Sequence, residues 1–156
     1  MWFYDFRAVE PVDPPIFVAT VPVAAQRLRA ILAGHRVYCA EKYADAVHTL
    51  SRERYALAIL GVYFDESRMF DVLAHARASA KNATTPVVCV VGIRGRLSHL
   101  LIRSLEQTLN AMPRTAFLNL AAIPDDPGGN AFVRRFLYSY LAPRPAPRSL
   151  QGLAVT

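Results

Sequence analysis

The chain has 156 residues, 53% of them hydrophobic and 19% charged; that balance excludes a disordered chain and fits one globular domain able to bury its own core. The formal charge of +6 rests almost wholly on arginine, and the arginines are scattered (Arg27 and Arg29, Arg52 and Arg54, Arg94 and Arg96, Arg134 and Arg135), which reads as a solvated surface rather than a nucleic-acid stripe. No apolar run reaches the ~20 residues that a membrane-crossing helix needs, and MWFYDFRAVE lacks the pattern of a secretion signal, so a cytoplasmic location is expected.

Residues 1–15 read as an arm, broken by prolines and rich in aromatics (Trp2, Phe3, Tyr4, Phe6). IFVAT (16–20) predicts a buried strand. Pro22 suits the first turn of a helix, which Ala24, Leu28, Ile31 and Leu32 carry to a stop at Gly34. RVYCA (36–40) is a second strand, and 43–54 a second helix with Ala46, Val47 and Leu50 inward. ALAIL (56–60) is apolar throughout, as a central parallel strand covered on both faces must be. A third helix carries Phe70, Val72, Leu73 and Ala76, and PVVCVV (86–91) is a fourth strand. Leu97, Leu100, Leu101, Leu105 and Leu109 predict an amphipathic fourth helix with Ser98 near its start. AFLNLAA (116–122) is a fifth strand, and Phe132, Val133, Phe136, Leu137, Tyr140 and Leu141 mark the last helix before a flexible proline-rich tail, 142–156.

Strands alternating with helices at short connections predict a flavodoxin-like, doubly wound parallel sheet of five strands in the order 2-1-3-4-5, with helices on both faces, over residues 16–141. That order holds Cys39 and Cys89 three strands apart, roughly 14 Å at sheet spacing, too far for a disulfide. Neither thiol has a Cys or His at metal-ligand spacing, and the four histidines form no ligand pair, so no metal and no cofactor are expected.

The tracts PIFVATVP, GHRVYCAEKYADAVHTLSRERYALAIL, MFDVLAHAR and TPVVCVVG, in that order, resemble the receiver domain of bacterial response regulators. The resemblance implies an acidic pair after the first strand to hold Mg²⁺, a phospho-accepting aspartate ending the third, a hydroxyl after the fourth and a lysine after the fifth. Such a set is needed because a carboxylate attacks anionic phosphorus only where cations offset the charge. Here those positions hold Ala19 and Thr20, Gly61, Val91, and Leu120 or Ala121. Asp65 and Glu66 lie past the strand end and read as solvated loop residues. The family mechanism of phosphotransfer is thereby excluded on chemistry, and no enzyme is expected: there is no GxSxG, P-loop or GxGxxG, and Ser98 and His99, being adjacent on a helix, point apart.

What the resemblance leaves is a pseudo-receiver that docks a protein partner or itself, as a homodimer. Receivers associate through the fourth helix, fifth strand and fifth helix; the candidate contacts here are Arg134, Arg135 and Tyr138, with Trp2 and Phe3 of the arm, while Phe132, Phe136 and Tyr140 are expected against the sheet. A further expectation concerns GIRGRLS (92–98), where Gly92, Arg94, Gly95 and Arg96 precede a helix N-terminus and could take an anion or nucleotide. Finally, residues 84–147 are similar to the end of the wing domain of inducible basic amino-acid decarboxylases. That likeness implies a detached assembly element or a fragment of an enzyme, with no catalysis carried over because no domain for pyridoxal phosphate follows Thr156.

Overall fold

A computed structural model describes residues 14–141. The strands β1 (Ile16–Ala19), β2 (Val37–Ala40), β3 (Leu57–Gly61), β4 (Val87–Val90) and β5 (Thr115–Leu118) form one parallel sheet in the order β2-β1-β3-β4-β5. The helices are α1 (Pro22–Ile31), α2 (Tyr43–Arg52), α3 (Met69–Ala78), α4 (His99–Asn110) and α5 (Pro127–Tyr140). The expected topology is the one observed. The expected arm (1–15) and tail (142–156) lie outside the described residues, apart from Pro14 and Pro15.

Alternation along each strand sends side chains to two cores. Phe17, Ala19, Leu60, Cys89 and Phe117 meet Leu50, Leu73 and Leu109 of α2, α3 and α4 on one face. On the other, Val18, Ile59, Val88 and Val90 meet Leu28 of α1 and Val133 and Leu137 of α5. Every residue of β1, β3 and β4 is buried, which explains their unbroken apolar runs. Each fully buried Leu, Ile or Phe contributes roughly 1.5–3 kcal/mol.

Local chemistry sets the helix ends. Pro22 opens α1, and Gly34, at φ 101°, turns the chain after it, as a left-handed position asks. Ser98 Oγ accepts from Leu101 N at 3.2 Å to cap α4, and Asp126 Oδ1 accepts from Gly129 N at 2.7 Å to cap α5.

Four expectations are corrected. The fifth strand stops at Leu118, because residues 120–122 turn into a 3-10 helix whose Ala121 N bonds back to the Val91 carbonyl. The fourth helix buries Leu109 and part-buries Ile102 and Leu105, whereas Leu100 and Leu101 are 76% and 53% exposed. Leucine spacing alone does not say which leucines fill the seam. Phe70, in the first turn of α3, is also exposed, and so is Phe132, which lies on the flank of α5 away from the sheet while Val133 and Leu137 take the buried positions.

Two polar side chains tie the amino edge of the sheet. Arg77 donates to the carbonyls of Thr85 (2.7 Å) and Arg114 (2.9 Å) and to Thr115 Oγ1 (3.0 Å), joining α3 to the entries of β4 and β5. Asn82 is fully buried: its Nδ2 donates to the carbonyls of Leu50 (2.7 Å) and Glu53 (2.8 Å), and its Oδ1 accepts from Tyr55 N and Thr85 Oγ1, each at 2.9 Å.

The cysteines are free, Cys89 buried and Cys39 half-buried, on strands with two others between them. Burial pushes the Cys89 thiol from 9.0 up to about 12, with Arg77 pulling weakly the other way. Burial likewise raises Tyr55, whose hydroxyl has no hydrogen-bond partner among the described residues. The fold thus holds both groups neutral. Their contribution is complete below pH 9, where the unfolded thiol is also protonated, and is lost as pH climbs from 9 towards 12. Urea midpoints are therefore expected to be flat through neutral pH and to fall above pH 9, with Cys89→Val removing part of that fall.

Candidate functional site

Thr20 follows β1, Gly61 ends β3, Val91 follows β4 and Leu120 lies just beyond β5, so the topology gathers all four, with Ala19, at the carboxyl edge of the sheet. This is the edge where open parallel sheets bind ligands. Here the space beside Gly61 is filled with protein. Thr20 is 6% exposed, and Val91 and Leu120 are more deeply buried still. A Cβ placed on Gly61 would collide with Thr20 Oγ1 and would lie 2.6 Å from Thr20 Cβ and 2.9 Å from its Cα. The strand must end in glycine because the neighbouring threonine occupies the space a longer side chain would take.

The rim around this point is tied by arginines. Arg27, on α1, donates to the carbonyls of Leu120 (3.0 Å) and Pro124 (2.8 Å) and to Asn130 Oδ1 (3.0 Å), fixing the loop between β5 and α5. Of the residues expected to bind an anion, Arg94 reaches to the Ala121 carbonyl at 3.2 Å, while the Arg96 guanidinium lies 5.5 Å from the centre of the Tyr63 ring. The two arginines therefore lean to opposite neighbours. Gly92 is required by packing, since a Cβ there would sit 2.6 Å from Ala24 Cβ, and Gly95 takes a left-handed φ of 83°. Ser98 already caps the helix N-terminus that follows.

Asp65 corrects another expectation. Rather than being solvated, it turns inward from a run of left-handed residues (Asp65, Glu66 and Ser67, with φ of 44°, 59° and 66°) and accepts from Tyr43 N at 2.7 Å. Its carboxylate thus serves the positive end of α2, with Lys42 Nζ 3.9 Å away and Arg68 stacked 3.5 Å over the Tyr43 ring. The turn walls a cleft of about 620 Å³, lined among others by Thr20, Arg29, Cys39, Glu41 and Lys42. Among the described residues no group of three or more His, Cys, Asp or Glu is placed to hold a metal ion.

The candidate partner residues on α5 separate into two sets. Arg134 Nε donates to the Ile31 carbonyl at 3.0 Å, and the Tyr138 hydroxyl hydrogen-bonds His35 Nε2 at 3.0 Å, so both tie α5 to α1. On the opposite flank Arg135 is exposed beside a ladder of Phe132, Phe136 and Tyr140, with ring centres 6.5 and 5.2 Å apart; Phe136 and Tyr140 are part-buried against the core, as expected, and Phe132 is exposed. Trp2 and Phe3 lie outside the described residues. Arg27, Arg77, Asn82 and the capping role of Asp65 had no sequence signal, because the groups they bond are backbone carbonyls and amides brought near only by the fold.

No family model matches the chain, and no curated protein matches it. Solved structures do. The receiver domain of a sensor histidine kinase from Pseudomonas aeruginosa, with magnesium in its active-site cleft, superposes with a TM-score of 0.59 at 19% identity, over 82% of this chain and 97% of that one. A response regulator from Hahella chejuensis gives a TM-score of 0.66 at 14% identity, over 86% of this chain and 100% of that one. A structure described as an adenylate cyclase from Rhodopirellula baltica gives 0.58 at 10% identity, over 82% and 89%. At these identities the likeness establishes the fold, which is that of receiver domains.

Proposed function

We propose that this receiver-fold domain is a phosphorylation-independent signalling module of the cytoplasm, non-catalytic, that works by docking a protein partner or a second copy of itself. The observation that carries this reading is the filled acceptor position: Thr20 stands where the Gly61 side chain would be, and Val91 and Leu120 close the places of the hydroxyl and the lysine. A surface that needs no phosphoryl group must be ready as folded, and the arginine ties of the rim support one fixed arrangement of the loops.

The docking surface we assign is the outer flank of α5, with Phe132, Phe136, Tyr140 and Arg135, beside the sheet edge at β5. Aromatic and arginine side chains of this kind anchor interfaces. Arg134 and Tyr138 then support this surface from behind. Sedimentation equilibrium tests the self-association clause: the full chain is expected to dimerise, and Phe132→Asp with Arg135→Glu to give a monomer of unchanged circular dichroism. A wild-type chain that stays monomeric at high micromolar concentration would remove the dimer from this account.

A further inference from the structure

Leu100, the most exposed large apolar side chain described, stands beside exposed Leu101 at the start of α4. The segment 92–105 around them holds Arg94, Arg96 and Arg103 and no acidic residue. An apolar pair set among cations calls for an occupant that is apolar and acidic. The chain contains one. Residues 1–13 carry Trp2, Phe3, Tyr4 and Phe6 with Asp5, Glu10 and Asp13 against a single arginine, Arg7, in a protein of net charge +6.

We propose that the N-terminal segment 1–13, which lies outside the described residues, folds back along its own domain and seats its aromatics on Leu100 and Leu101, its carboxylates facing the three arginines. The reach allows it. Thirteen residues span at most roughly 45 Å extended, whereas the entry of β1 and the start of α4 are separated by the length of a four-residue strand and two strand spacings, about 13 Å and 10 Å, which leaves length for the segment to pass outside the helices that cover the sheet. Seated there, the segment covers an apolar patch at the carboxyl edge and leaves the α5 flank open. The inference depends neither on the lost acceptor nor on dimerisation.

Trp2 is the only tryptophan of the chain, so the fluorescence of the intact protein reads position 2 alone. The expected result is a blue-shifted emission, poorly quenched by acrylamide and unchanged on dilution. In Leu100→Ser/Leu101→Ser, whose exposed sites leave the fold intact by circular dichroism, emission shifts to the red and quenching rises several-fold. Molar salt moves the wild type part of the same way. The proposal is overturned if the wild-type Trp2 is already fully quenchable, if the double variant leaves emission and quenching unaltered, if Phe132→Ser exposes Trp2 instead, or if dilution alone exposes it.

Discussion

Replacing Asn82 with leucine is expected to lower the unfolding free energy by roughly 3–4 kcal/mol, near the upper end for a single substitution. The shapes are similar, so little volume is lost. What disappears is a side chain, itself fully buried, that serves two carbonyl oxygens at the end of α2 and the amide of Tyr55 at the entry to β3. Leu50 O keeps a longer bond from Ser79 Oγ, at 3.2 Å, but the buried Tyr55 amide loses its acceptor. Asn82→Asp separates the two halves of the effect. It retains the acceptor for Tyr55 N yet turns a carboxylate towards the carbonyls of Leu50 and Glu53, and should be no better tolerated than leucine. Urea denaturation of the three proteins measures both, and equal midpoints for wild type and Asn82→Leu would show that the network contributes nothing net.

Placing an aspartate at position 61 is expected to damage the fold rather than to confer phosphotransfer. Gly61→Asp places a Cβ against Thr20 Oγ1, Cβ and Cα, an overpacking that costs about 1–3 kcal/mol, and brings a carboxylate to a buried strand end. The sum is roughly 3 kcal/mol or more. Gly61→Ala isolates the steric part, and Thr20→Gly in that background should recover much of it, since it removes Oγ1 and Cβ together. Thermal melts of the three variants and the wild type give the comparison; a Gly61→Asp protein as stable as wild type would mean that the strand end moves readily to make room.

The same contact explains how far the sequence could be read. The fold was legible because ALAIL and PVVCVV are apolar on both faces and Pro22 and Gly34 punctuate the chain, all of them local signals. The five positions at which the family pattern carries its acidic, hydroxyl and lysine groups were legible too, as positions that here hold other residues. Why position 61 is glycine was not, since Thr20 lies 41 residues away and only parallel pairing of β1 with β3 brings it alongside. Asp65 was misread for a similar reason: its partner, the Tyr43 amide, belongs to another helix, and a run of three left-handed non-glycine residues has no signature in composition. Leucine spacing predicted α4 but not its orientation, because a helix over an edge strand has sheet beneath only part of its apolar stripe.

On the proposed function this domain has one state and no phosphoryl-bound one. The most direct measurement is the amide proton–nitrogen NMR spectrum of the full chain before and after addition of magnesium and beryllofluoride, which mimics an aspartyl phosphoryl group. The resonances of Thr20, Gly61, Asp65 and Val91 are expected to stay where they are. Saturable shifts at those residues, strongest at Asp65, would contradict it and mark that carboxylate as an acceptor.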